Sequence, residues 1–185
     1  MADQELLDEC IREVHKRNPR PFMENFLSIS TKRNELVPFR LNRLQDYVDR
    51  HTTGRDYWVK YRQGGSSLYH LGRFLSFTIC IPYFNAAVIT LSTDHGRTKE
   101  RLFRHVSRMV DNLAGDIQPK RGHERVDYIE FEELESQMYI GTVGSREFGR
   151  SEPLNALMVT AMGSVSPAEA HSVLTSAVES VVPGG

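Results

Sequence analysis

The feature that most constrains this chain is the succession of two apolar segments on either side of Pro82. Ser66 to Ile81 is almost wholly apolar, with Leu68, Leu71 and Leu75 in helical spacing, and stops where Pro82 removes a backbone donor. Ala86-Ala87-Val88-Ile89-Thr90-Leu91 follows, a continuous apolar run of the kind found in strands buried on both faces. Beyond the turn Asp94-His95-Gly96, a helix is predicted over 96–113. Leu102, Phe103, Val106, Met109, Val110 and Leu113 keep its period, and Arg97, Lys99, Arg101, Arg104 and Arg108 lie on its polar side. A β-rich run from Tyr57 to Tyr61 precedes the first helix. Strand, helix, strand, helix predicts a βαβα order, an α/β fold with a parallel sheet and right-handed crossovers.

The junction between the first strand and the first helix reads Trp58-Val59-Lys60-Tyr61-Arg62-Gln63-Gly64-Gly65-Ser66-Ser67. Glycines let successive backbone N–H groups turn toward one anion, and a helix starting at the serines adds its positive end. The junction is therefore a candidate phosphate cradle. Half of the phosphate-loop pattern GxxxxGK[ST] is present: with Gly65 as its second glycine, Ser67 is the hydroxyl for Mg²⁺, but Ser66 stands where the lysine belongs. Lys60 and Arg62 lie just upstream and can swing over the loop. The same residues also suit a plain glycine turn with two solvated cations.

Composition bounds the rest. With 185 residues, one domain-sized core is expected, and 23 basic against 24 acidic residues leave a net charge of −1. Bulk electrostatics thus favour neither a nucleic-acid nor a membrane partner, so any such contact must come from a local patch. Two cysteines, Cys10 and Cys80, point to a reducing compartment and exclude a cysteine zinc site. The acidic start lacks an apolar signal core, and the longest apolar stretch, 74–84, is too short to cross a bilayer.

An amphipathic helix is predicted over 3–16, ended by Arg17-Asn18-Pro19-Arg20-Pro21, and an extended segment over 22–31. Asn42 is placed to cap a short helix carrying Leu44, Tyr47 and Val48. Residues 116–125 read as a polar loop. Two short strands follow around Ile129 and Phe131 and around Met138, Ile140 and Thr142. Gly144 to Ser151 is a glycine-rich charged loop containing Arg146 and Arg150, Ala156 to Ala161 is a further apolar run, and Pro167 opens a last helix. From Pro153 onward there is no Lys or Arg, a face that expects to be covered. The seven histidines show no metal-ligand spacing. The acids 116, 127, 130, 132, 133 and 135 read as a solvated hairpin face, and the cations of 97–108 as a helix exterior able to meet phosphates.

Several pieces together resemble the N-terminal ATPase part of the large terminase subunit, the DNA-packaging motor of tailed phages. They are Glu24-Asn25-Phe26-Leu27, Leu36-Val37-Pro38-Phe39, Leu41-Asn42 with Gln45, the loop Lys60 to Ser67, and Asp111-Asn112-Leu113. Tyr139-Ile140-Gly141-Thr142 and Gly149-Arg150 with Leu154-Asn155-Ala156-Leu157 complete the series, over about residues 19–185. The resemblance implies a P-loop, RecA-like parallel sheet flanked by helices, incomplete at the C-terminus. Residues 1–52 would form an N-terminal helix, an extended segment and an adenine-side element; residues 53–185 would form a partial ATPase core.

By that resemblance the site holds ATP and Mg²⁺. Arg62-Gln63-Gly64-Gly65-Ser66 matches the family's RQxGxS loop, Lys60 or Arg62 replaces the missing lysine, Gly64 to Ser67 donate backbone N–H groups, Ser67 faces Mg²⁺ and Gln45 reads adenine. Implied partners are double-stranded DNA in the assembled motor, the portal and the small terminase subunit, in a host's cytoplasm, with a homo-oligomer only in a full-length form. One departure weighs on mechanism: where the family places a carboxylate for Mg²⁺ and a glutamate for the attacking water, this chain has Thr160 and Ala161. Hydrolysis is therefore expected to be weak or lost. The family's coupling motif and nuclease domain have no counterpart here, as a truncated gene product would show. The alternative expectation is a non-enzymatic remnant or adaptor that binds a portal, small-terminase or capsid partner.

Overall fold

The computed structural model describes residues 4–31, 33–59, 64–91, 95–114, 117–125, 127–142, 153–179 and 181. Helix α1 (Gln4–His15) buries Leu7, Cys10 and Val14 on one stripe and gives way to Arg17 in the left-handed region at φ +68°. Helix α2 (Arg20–Phe26) occupies the first half of the segment 22–31 expected to be extended. The proline pair explains the difference. Pro19 stands at its N-cap and Pro21 in its first turn, where a missing N–H costs nothing and a fixed φ favours the helix. Phe22 and Met23 then enter the core from that helix. Extended structure is confined to β1 (Ser28–Ser30), which pairs antiparallel with β2 (Leu36–Pro38) across a turn tied by Thr31 Oγ1, acceptor for the Arg33 and Glu35 N–H groups.

Helix α3 (Arg43–His51) is followed by a polar knot in which the Asp56 carboxylate accepts from Thr52 Oγ1, Thr53 Oγ1 and the Thr53 and Gly54 N–H groups. The chain leaves this knot as irregular backbone. Tyr57 and Val59 are 74% and 87% exposed and pair with no strand, so the expected strand is absent over its described part, 57–59. Two apolar side chains alternating without a neighbouring strand have nothing to bury them. Residues 60–63 lie outside the described residues.

Helix α4 (Ser66–Cys80) leads into β3 (Asn85–Thr90), then α5 (His95–Asp111), β4 (Arg121–Arg125), β5 (Tyr128–Phe131), β6 (Ser136–Thr142), β7 (Ala156–Thr160) and α6 (Pro167–Glu179). The main sheet runs β4-β5-β6-β3-β7. Between β6 and β7 lies β3, buried at every position and parallel to both, with Val88 opposite Ile140 on one side and Met158 on the other. The outer strands are antiparallel, β5 to β6 and β4 to β5. The sheet is therefore mixed where a parallel one was expected. The connections from Arg121 to Ser136 are short turns, including a 3₁₀ turn at Glu132–Leu134, and only antiparallel neighbours can be joined that way. Strand β4 lies in the segment read as a polar loop; its charged residues suit an exposed sheet edge, and that polarity hid the strand.

Helices α4 and α5 pack against β3, β6 and each other, and α6 packs against β7. One core cluster joins Leu7 and Val14 of α1, Phe22 and Met23 of α2, Val48 of α3, Leu71 and Leu75 of α4, Val106 of α5, and Val88 and Ile140 of the sheet. Each such side chain contributes about 1.5–3 kcal/mol by leaving water, and this is what holds α3 against the start of α4. Among the described residues no helix is long and apolar enough to cross a membrane.

Candidate functional site

The candidate site is built at the cap of α3. Asn42 Oδ1 accepts the N–H groups of Leu44 and Gln45, both at 3.0 Å, and Gln45 Oε1 accepts the Asn42 N–H at 2.9 Å, a reciprocal capping box. The same two side chains reach across to the glycine turn. Gln45 Nε2 donates to the Gly65 carbonyl at 2.9 Å and Asn42 Nδ2 to the Gly64 carbonyl at 3.3 Å. Gly65 is the N-cap of α4 with φ +78°, and its carbonyl also accepts the Tyr69 N–H at 3.0 Å, closing the first helical turn. A Cβ here would stand 2.8 Å from Gln45 Nε2, so both the backbone and the packing require glycine.

Among the described residues no side chain caps α4. Its first N–H groups, from Ser66 onward, therefore lack the acceptor that a Ser, Asp or Asn at the cap would supply, which is the chemistry of an anion-binding turn. Ser66 is buried and Ser67 half-buried in the first turn. The structure thus brings together Gln45, Gly64, Gly65, Ser66 and Ser67, while Lys60, Arg62 and Gln63 lie outside the described residues. Gln45 is only 4% exposed, and both ends of its amide are engaged within the protein.

Below the turn, a polar network ties α3 to α4. Asp46 accepts from Arg20 Nη1 at 2.7 Å and from Arg50, which together hold its carboxyl below the usual range, the Arg20 bond contributing most. Asp49 lies 3.8 Å from Arg20 and 3.7 Å from Arg73. These partners come from α2, α3 and α4, and sequence spacing gave no sign that they meet.

At the carboxyl edge of the parallel strands, Thr142, Thr90 and Thr160 stand in register across β6, β3 and β7. This is the edge on which open α/β sheets bind ligands. Thr160 carries its carbonyl to the Leu91 N–H at 2.9 Å, and Ala161 follows in the left-handed region at φ +63°. Beside the end of β6, the Asp127 carbonyl accepts the Ile140 N–H and its carboxylate takes the Lys99 ammonium at 3.2 Å. The sequence showed Asp127 only as one acid among several, and its partner lies 28 residues away on α5. Glu132 likewise pairs with Lys120, at 3.0 Å, as a solvated hairpin face does. Glu147, Arg146 and Arg150 lie outside the described residues.

On α5, Arg97, Arg101, Arg104 and Arg108 recur at i, i+4, i+7 and i+11, one stripe about 16 Å long at 1.5 Å per residue. None of the four is in an ion pair among the described residues, although Glu100 flanks the stripe and Asp111 is taken by Arg121 at 2.6 Å. His105, next to them, is held below its ordinary pKa first by burial and then by Arg101, Arg108 and Arg104. Compared with known proteins, the chain matches no family model, and no curated protein is significantly similar to it in sequence.

Proposed function

We propose that this chain is a nucleotide-binding domain of the large-terminase type, taking ATP and Mg²⁺ at the glycine turn 60–67, with weak or no hydrolysis. The observation that carries the reading is the bond between Gln45 and Gly65. Gln45, placed in the site by the resemblance, and Gly65, placed there by the resemblance and by the glycine-turn pattern, lie 20 positions apart and are joined at 2.9 Å, a bond that ties α3 to the turn. The uncapped start of α4 supplies N–H groups for phosphate oxygens, Ser67 supplies a hydroxyl to Mg²⁺, and Lys60 and Arg62 supply the positive charge a triphosphate needs. A RecA-like core asks for a strand directly before the turn, and 57–59 do not form one, so the reading rests on the turn and its tether.

Thr160 and Ala161 support the non-hydrolytic side of this proposal. A hydroxyl is a far weaker Mg²⁺ partner than a carboxylate, and a methyl group cannot orient water. They equally favour the second reading, a remnant or adaptor binding a portal, small-terminase or capsid partner without turnover. Within the motor reading, the arginine stripe of α5 offers a polyanion contact for double-stranded DNA. Titration calorimetry with Mg·ATP, alongside steady-state phosphate release, tests the proposal. Binding that is lost in Lys60→Ala plus Arg62→Ala, with little phosphate released, is expected; no binding at millimolar ATP leaves the adaptor.

A further inference from the structure

We infer that Gln45 is a positioning residue that aims the backbone of the glycine turn, and that it does not read a base. The inference rests on the nucleotide reading of the turn and deepens it. A primary amide recognises a purine edge by donating and accepting at once. Here the oxygen is taken by the Asn42 N–H at 2.9 Å and the nitrogen by the Gly65 carbonyl at 2.9 Å, in a side chain 4% exposed. A base could win that amide only by opening the α3 cap or the turn.

What the two bonds accomplish follows from peptide geometry. In a trans peptide the C=O and the next N–H point in opposite directions, and no peptide bond among the described residues is cis. Holding the Gly65 carbonyl toward Gln45 therefore turns the Ser66 N–H away from α3, and holding the Gly64 carbonyl toward Asn42 does the same for the Gly65 N–H. Two consecutive donors are thereby aimed to one side around a left-handed glycine, the arrangement that receives an anion. The ligand chemistry served by Gln45 is the phosphate chain, and discrimination among bases falls to other groups.

The test is calorimetric titration of the full chain with Mg·ATP, Mg·GTP and Mg·tripolyphosphate, the last lacking a base. Gln45→Glu keeps an oxygen for the Asn42 N–H, so α3 stays capped, but puts a carboxylate against the Gly65 carbonyl. Asn42→Ala disturbs the turn from a residue the resemblance does not assign to the base. Both are expected to weaken all three ligands by a common factor of about ten, with the ATP-to-GTP ratio unchanged. A Gln45→Glu protein that loses ATP alone and keeps tripolyphosphate within about twofold overturns the inference. If the unaltered protein binds none of the three, the nucleotide reading fails, and hydrogen exchange at the Tyr69 amide decides the positioning role by itself. Faster exchange in Gln45→Glu supports it, and unchanged exchange overturns it.

Discussion

Tyr69, fully withdrawn from solvent, donates its hydroxyl to Asp49 Oδ1 at 2.7 Å and so fastens α4 to α3 one turn beyond the glycine turn. The Tyr69 hydroxyl oxygen in turn accepts from Arg73 Nη1 at 3.2 Å. Tyr69→Phe removes both hydrogen bonds of the hydroxyl, while Arg20 and Arg73 still face Asp49. It is expected to cost about 1–2 kcal/mol, read as a lower urea midpoint with an unchanged m-value. Asp49→Ala takes away the acceptor of the Tyr69 hydroxyl and the carboxylate facing both Arg20 and Arg73, and is expected to cost more.

Alkaline pH acts on the same residue. Burial pushes the Tyr69 phenol above its ordinary 10.0 and the Cys80 thiol above its ordinary 9.0, so both stay protonated in the folded chain after they ionise in the unfolded one. The unfolded state then holds fewer protons, and stability falls as pH rises past 9 for Cys80 and past 10 for Tyr69. The slope per group approaches about 1.4 kcal/mol per pH unit. Urea titrations from pH 8 to 11 are expected to show this decline, with a shallower upper part in Tyr69→Phe. An identical slope in the variant rejects the assignment.

Two glycine substitutions should both destabilise, for different reasons. Gly65→Ala forces a side chain into φ +78° and to 2.8 Å from Gln45 Nε2, at an expected cost of about 1–2 kcal/mol. Gly72→Ala lies inside α4, where alanine would gain about 1 kcal/mol of helix propensity. Its Cβ would stand 3.0 Å from both Met23 Cε and Phe39 Cε2, two fully buried side chains. Overpacking of about 1–3 kcal/mol outweighs the gain, so thermal melts should show a lower Tm for both variants.

The arginine stripe of α5 makes a salt-dependent prediction. Fluorescence anisotropy with a short DNA duplex is expected to give an affinity that falls steeply with salt. Arg101→Ala plus Arg104→Ala should reduce the log–log slope by about two. Equal slopes for the two proteins would remove DNA from the proposed partners of this face.

Where local chemistry was sufficient, the sequence was readable. The period of Leu102, Val106, Met109 and Leu113 made α5, the apolar run 86–91 made the fully buried strand β3, and Asn42 three residues before Gln45 made a helix cap. These patterns work because a helix stripe, a buried strand and a cap each depend on residues within a few positions. The same logic misjudged α2, where Pro19 stands at the N-cap and Pro21 in the first turn, and β4, whose charged residues imitate a loop.

By itself, then, the order of residues determined the α/β class, the buried strand after α4 and the glycine demanded at the start of α4. Tertiary structure alone decided that β3 pairs in parallel with β6 and β7, that 57–59 stay unpaired, and that Gln45 spends its amide on Asn42 and Gly65. The reason is range. A period or a cap is set by neighbours along the chain, whereas a polar side chain's partner depends on which carbonyl the packing of α3 against α4 leaves within 3 Å of it.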